Sequence, residues 1–143
     1  MKTTLLVFYL CIVGLISCTK DASEETNISN VALSSMATSS DDLVLIRTTR
    51  SKENTDWKIK MNAVASKAYS EGKNFPVNSM IIKEKYNASG KISGYDIMYK
   101  APADKNSSNG WLWSQVSADG HVIYNASKKG ASCQNCHETQ STK

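Results

Sequence analysis

Along residues 80–86 the side chains alternate. Met80, Ile82, Glu84 and Tyr86 fall on one side of an extended chain, and Ile81, Lys83 and Lys85 fall on the other, which is the period of a β-strand. Asn87-Ala88-Ser89-Gly90 marks a turn after it. A second strand is expected over 92–100, then an Asn- and Ser-rich loop over 102–110. A third strand follows over 111–117, an Asp119-Gly120 turn, and a fourth strand over 121–125. Upstream, Trp57, Met61, Val64 and Ala68 recur at helical spacing. One amphipathic helix is therefore expected over 56–72, with Thr55 as N-cap, Gly72 as its stop and Pro76 beyond. The short run Leu43-Val44-Leu45-Ile46 starts either a strand or a helix. The class is α+β: a small antiparallel β-sheet of about four strands or more, with one or two helices packed on it.

Composition narrows this picture. At 143 residues, 41% hydrophobic and 21% charged, with 2 Pro and 7 Gly, the chain has an ordinary globular make-up for one domain. The net charge of +4 is unevenly spread. Residues 19–42 hold one Lys against five Asp or Glu, whereas 43–143 hold 15 Lys or Arg against eight Asp or Glu. Only Arg47 and Arg50 supply guanidinium groups, so the basic body has little means of bidentate or stacked nucleic-acid recognition. No nucleic-acid partner is expected. Residues 19–42 also contain nine Ser or Thr and no aromatic residue, too little apolar surface to offset the entropy of ordering.

The first residues read as an address. Lys2 precedes a 12-residue apolar run, Leu5 to Ile16, shorter than the roughly 20 residues that span a bilayer. The run ends in Leu15-Ile16-Ser17-Cys18, which resembles a bacterial lipobox; the alternative is a plain secretory signal. The chain is thus expected to divide into a signal peptide at 1–17, a flexible tether at 18–42 and a domain at 43–143. The resemblance implies a lipid on Cys18 and a membrane contact made through that lipid alone. The expected location is the bacterial cell envelope, on the periplasmic side or the cell surface.

The chemistry gathers at the other end. Cys133-Gln134-Asn135-Cys136-His137 has the CxxCH spacing of c-type haem attachment. Two thiols three positions apart share one side of a helical turn and can add to the two haem vinyl groups, and the next residue offers its imidazole to the iron. Cys133, Cys136 and His137 are therefore expected to bind one covalent haem c at the C-terminal end of the domain, with His137 as the axial ligand. Export agrees, since a free thiol pair outside the cytoplasm would otherwise oxidise. A thiol–disulfide site is expected earlier, within a βαβ unit, and zinc would need a second ligand pair where only His121 remains. Six residues follow the motif and none is a good iron ligand, so any sixth ligand is expected upstream, from Met61, Met80, Met98, His121 or Lys83. Trp111 and Trp113 share one strand face, as do Val122 and Tyr124; each pair forms either a haem wall or an ordinary aromatic core.

Asn74-Phe75-Pro76 leading into Met80-Ile81-Ile82-Lys83-Glu84, then Gly110-Trp111-Leu112-Trp113, Gly120 and the CxxCH run together resemble the cytochrome P-460 family, which includes the c-prime-beta cytochromes, over about residues 57–137. The resemblance implies a β-sheet fold around a five-coordinate c-haem that binds nitric oxide or oxidises hydroxylamine. It also implies that Lys83, at the family's cross-linking lysine, bonds to the haem edge in the hydroxylamine-oxidising branch; an ordinary strand lysine is the alternative. Two function classes follow. One is a haem protein with an open iron that takes a small gaseous or nitrogenous ligand, with or without oxidoreductase activity. The other is a membrane-tethered electron carrier with a six-coordinate haem whose basic surface docks an acidic redox partner protein.

Overall fold

The computed structural model describes residues 28–39, 42–50 and 56–138; of Asn135, Cys136 and Glu138 it describes the backbone alone. The expected signal peptide, Cys18 and Thr55 lie outside these residues. The chain runs as helix α1 (Asn30–Thr38), strands β1 (Val44–Arg50) and β2 (Asp56–Met61), helix α2 (Ala63–Ser70), strands β3 (Met80–Tyr86), β4 (Ile92–Lys100), β5 (Trp111–Ser117) and β6 (Val122–Tyr124), and helix α3 (Ala131–Glu138). The strands form one six-stranded antiparallel sheet in the order β1-β2-β3-β4-β5-β6, a meander in which every neighbour in space is a neighbour in sequence. The α+β class read from the sequence is the observed one.

Alternation divides the sheet into two faces. On one, Met80 and Ile82 of β3, Tyr95 and Ile97 of β4, and Leu112 and Val116 of β5 are buried together with Leu33 and Ala37 of α1. On the other, the register aligns Ile59 with Lys83, Ile81 with Met98 and Lys83 with Asp96, and Met98 with Trp113 and Asp96 with Gln115. The core lies on the first face, and the second carries Ile59, Ile81, Met98 and Trp113 together with the polar Lys83, Asp96 and Gln115.

Two expectations change, and the expected sheet of about four strands or more becomes definite at six. The stretch 56–72 is a strand and then a helix, because Trp57, Ile59 and Met61 alternate with Lys58 and Lys60 as β2 before Asn62 caps α2. The Asn62 side chain accepts from Ala65 N at 3.0 Å and from Met80 N at 3.1 Å, tying the helix start to β3. With β1 and β2 added, the sheet has six strands. Residues 30–38, expected within the tether, form α1, whose Leu33 and Ala37 are fully buried. Leu33, Met36 and Ala37 make one apolar stripe among small Ser, Ala and Thr residues, a signal too narrow to stand out in a Ser-rich segment. Polar contacts with distant residues pin α1 in place. Ile28 N donates to Asp104 Oδ2 at 2.7 Å, Ser34 Oγ to the Gly120 carbonyl at 2.6 Å, and Ala126 N to Asn30 Oδ1 at 2.8 Å.

Candidate functional site

The chain reaches α3 through a tight reversal. Asn125 caps a single 3-10 turn at Ala126–Lys128, and Lys129 (φ 52°) and Gly130 (φ 66°) are both left-handed. Gly130 has a second constraint, since a Cβ there would lie 2.5 Å from Trp113 Cδ1, far inside contact distance. Only glycine fits both the backbone angle and the ring. The close approach seats the start of α3 on β5, and Cys133 N and Gln134 N both donate to the Gly130 carbonyl to open the helix.

Between α3 and the second sheet face lies a cavity of about 360 Å³, within the range of small-molecule sites. Its walls are mainly apolar, with Ile59, Ile81, Met98, Trp113 and Tyr124 from the sheet; Cys133 and His137 enter from α3, and Lys83, Asp96 and Gln115 add polarity. Asp96 Oδ1 accepts from Lys85 Nζ at 2.6 Å and from Gln115 Nε2 at 2.7 Å, so its carboxylate is fixed from two sides. Lys83 stands across the strand pair from Asp96 but forms no ion pair among the described residues. Its ammonium lies 5.1 Å from the centre of the Trp57 ring, at the border between the cavity and a smaller cleft lined by Asp56, Trp57, Lys85 and Tyr86. The Trp113 and His137 rings meet edge to face at 5.1 Å and 61°.

Of the residues singled out in the sequence, Lys83, Met98, Trp113, Tyr124, Cys133 and His137 share this one cavity. Cys136 falls in α3, three positions after Cys133. Met80 belongs to the core on the opposite face. Met61 is buried beside Ile81 and does not line the cavity. His121 lies exposed in the β5–β6 turn, 3.4 Å from Asp119. Trp111 packs edge to face on Phe75 at 5.7 Å, away from the cavity. Among the described residues no three His, Cys, Asp or Glu side chains gather into a metal cluster. Sequence reasoning missed Ile59, Asp96, Gln115 and Gly130. The one local signal was an Asp in the middle of the otherwise uncharged stretch Ile92–Tyr99.

An antiparallel meander with a largely apolar cavity between one sheet face and a helix bearing Cys133 and His137 is a small β-sheet protein with a candidate binding site. Residues 40–143 match the cytochrome P460 family, and the chain belongs to that family. Membership brings a haem-binding, redox-active role in general terms. No curated protein matches the chain. Helix α1 precedes the matched span, yet its side chains complete the core. No helix among the described residues is long and apolar enough to cross a membrane.

Proposed function

We propose that the chain is an exported mono-haem c-type cytochrome whose haem is attached through Cys133 and Cys136, with His137 as axial ligand, and whose iron is open to nitric oxide or a small nitrogen compound such as hydroxylamine. The observation that carries this reading is that Cys133 and His137 enter one largely apolar cavity from α3 while Lys83 enters it from the sheet. The donor set suits the group: a thiol and an imidazole four positions apart on one helix, apolar walls for a flat ring, and polar side chains at one end. When bound, haem supplies an iron that takes up a small ligand and exchanges electrons. The protein's part is to hold His137 toward the sheet, to exclude water with Ile59, Ile81 and Met98, and to present Asp96 as a fixed hydrogen-bond acceptor.

The placement of Met80 on the far face and of His121 in an exposed turn supports an open iron over a closed one. Of the sixth-ligand candidates, Met98 and Lys83 line the cavity, and their presence favours the second reading, an electron carrier with a six-coordinate haem. Export through residues 1–17, a lipid on Cys18, a place in the cell envelope and an acidic redox partner belong to the same proposal.

Expression with haem-maturation machinery tests it. Denatured protein should carry one covalent haem by staining, and the ferrous spectrum should change on adding carbon monoxide or nitric oxide. A colourless band, or full haem retention after both cysteines are changed to Ala, overturns the attachment. A low-spin ferrous spectrum that becomes high-spin in Met98→Leu establishes the electron carrier instead.

A further inference from the structure

Tyr124 lines the cavity and also meets the outer surface. It ends β6, an edge strand of the sheet, and is tied down where its hydroxyl donates to the Lys128 carbonyl at 3.2 Å. The Lys128 ammonium lies over its ring, 5.3 Å from the centre. One side chain thus touches both the cavity and a surface cation. Lys129 follows at φ 52°, a left-handed angle that Gly or Asn adopts more readily than Lys. Its carbonyl accepts from Gln134 Nε2 at 2.6 Å, which fastens the lysine pair to the helix carrying Cys133 and His137. Both lysines are exposed, and among the described residues neither forms an ion pair. Beside them in the chain, Ile123 is 58% exposed and Val122 39%. Unpaired cations next to exposed apolar side chains suit a small, transient protein contact, and their charge selects an acidic partner. Lys67 and Lys91 are exposed as well, but neither belongs to the cavity lining.

We propose that the surface formed by Ile123, Tyr124, Lys128 and Lys129 is where an acidic one-electron acceptor protein docks. The assignment rests on the haem reading above. One electron leaves ferrous iron, which becomes ferric, and reduces the acceptor's own redox centre by one; no bond is made or broken and no proton moves. A patch of lysines and apolar side chains also suits an anionic membrane. The redox partner is favoured because the contact adjoins a cavity wall, a position that serves electron transfer and that a membrane contact does not need.

The exported holoprotein is compared with K128E/K129E and with K67E/K91E, which makes the same change in net charge elsewhere on the surface. Oxidation of the ferrous protein by the anion hexacyanoferrate(III) should slow about tenfold in K128E/K129E at low ionic strength, and salt should remove the difference. Reduction of the ferric protein by the cation hexaammineruthenium(II) should become faster. K67E/K91E should change both rates far less. Poly-L-glutamate, an acidic chain of protein size, should move the amide resonances of residues 122–130 in the parent and leave them in place in K128E/K129E. Equal rates in K128E/K129E and the parent, or equal slowing in the two variants, overturn the assignment. So do amide shifts that fall elsewhere. Shifts at 122–130 with phosphatidylglycerol vesicles and none with poly-L-glutamate make the patch a membrane contact and overturn the partner. If K128E/K129E does not retain haem, K128Q/K129Q decides, with about a threefold slowing expected and a parental rate overturning the assignment. A parent without covalent haem overturns the haem reading and this assignment together, whereas a stained parent with unaltered rates in the variant overturns this assignment only.

Discussion

At Lys83 the strand period and the sheet register act together. Alternation turns it away from Ile82 and Glu84, which are buried on the core face, and the β3–β4 register then sets it across from Asp96 above the cavity. Its ammonium rests over Trp57, a contact worth about 0.5–1 kcal/mol at an exposed site and too weak to hold it against a covalent bond. If the haem reading and the family's cross-link both apply, a tryptic haem peptide containing Cys133–Cys136 will also contain Lys83, lighter than the summed pieces by the hydrogen lost on bonding. Lys83→Ala will then move the absorption bands. A haem peptide without Lys83, and an unchanged spectrum in the variant, would remove hydroxylamine oxidation and leave gas binding or electron transfer. The neighbouring residue on the other face makes a different test. Glu84 is 1% exposed, pairs with Lys60 at 2.7 Å and accepts from the Tyr86 hydroxyl at 2.8 Å. Burial, then the bond to Glu84 and its negative charge, push the Tyr86 phenol up to about 12. The folded protein keeps this proton where an unfolded tyrosine, near pH 10, loses it. The contribution is whole below about pH 10 and disappears as pH rises through about 12. Urea melts at pH 9 and pH 12 should show a smaller loss in Tyr86→Phe than in the parent; equal losses would show that the phenol is not linked to folding.

At the scale of elements, β3 to β6 were readable because each strand alternates and ends at a Gly- or Asn-containing turn; the register then follows from short connections. The junction at Asn62 was not readable. Trp57 and Met61 fit a helical period and a strand period equally; the bond from Ala65 N to Asn62 that caps the helix is local, but the bond from Met80 N that fastens the junction depends on β3 being adjacent. Asp96, Gln115 and Gly130 escaped for the same reason, since cross-strand register and the contact with Trp113 give them their place. Helix α1 was missed because composition measures how much a segment can bury, whereas a single leucine in the right place fastens it. Leu33 is fully buried, and Asn30 bridges to Asn125 and Ala126, at the start of the turn into α3. Leu33→Ala should therefore cost about 2–5 kcal/mol, measured by urea unfolding. Asn30→Ala should cost less, about 0.5–1.5 kcal/mol for each hydrogen bond lost. A Leu33→Ala protein as stable as the parent would show that α1 does not belong to the folded unit.

Across the whole molecule, the two faces of one sheet divide the work. The core cluster draws on α1, β3, β4, β5, Ala101 and Ala126, and among the described residues no member comes from α3. The cavity lies on the opposite face and takes its closing wall from α3. The core and the cavity therefore rest on largely different sets of side chains, with Ile97 common to both, and they are joined where the Asn125–Gly130 turn passes from one to the other. This separation predicts the behaviour of a chain that cannot attach haem. In Cys133→Ala/Cys136→Ala the core face keeps all its members, so far-UV circular dichroism and a cooperative urea transition should persist. What should be lost is any stabilisation from a group bound only to the native state, together with order in α3, seen as faster amide exchange from Ala131 onward while β3 to β5 stay protected. A variant that unfolds altogether would mean that the bound group, rather than the α1-covered core, holds the sheet together. A variant whose α3 amides exchange as slowly as those of β5 would mean that the Gly130–Trp113 contact fixes the helix without any help from the cavity's occupant.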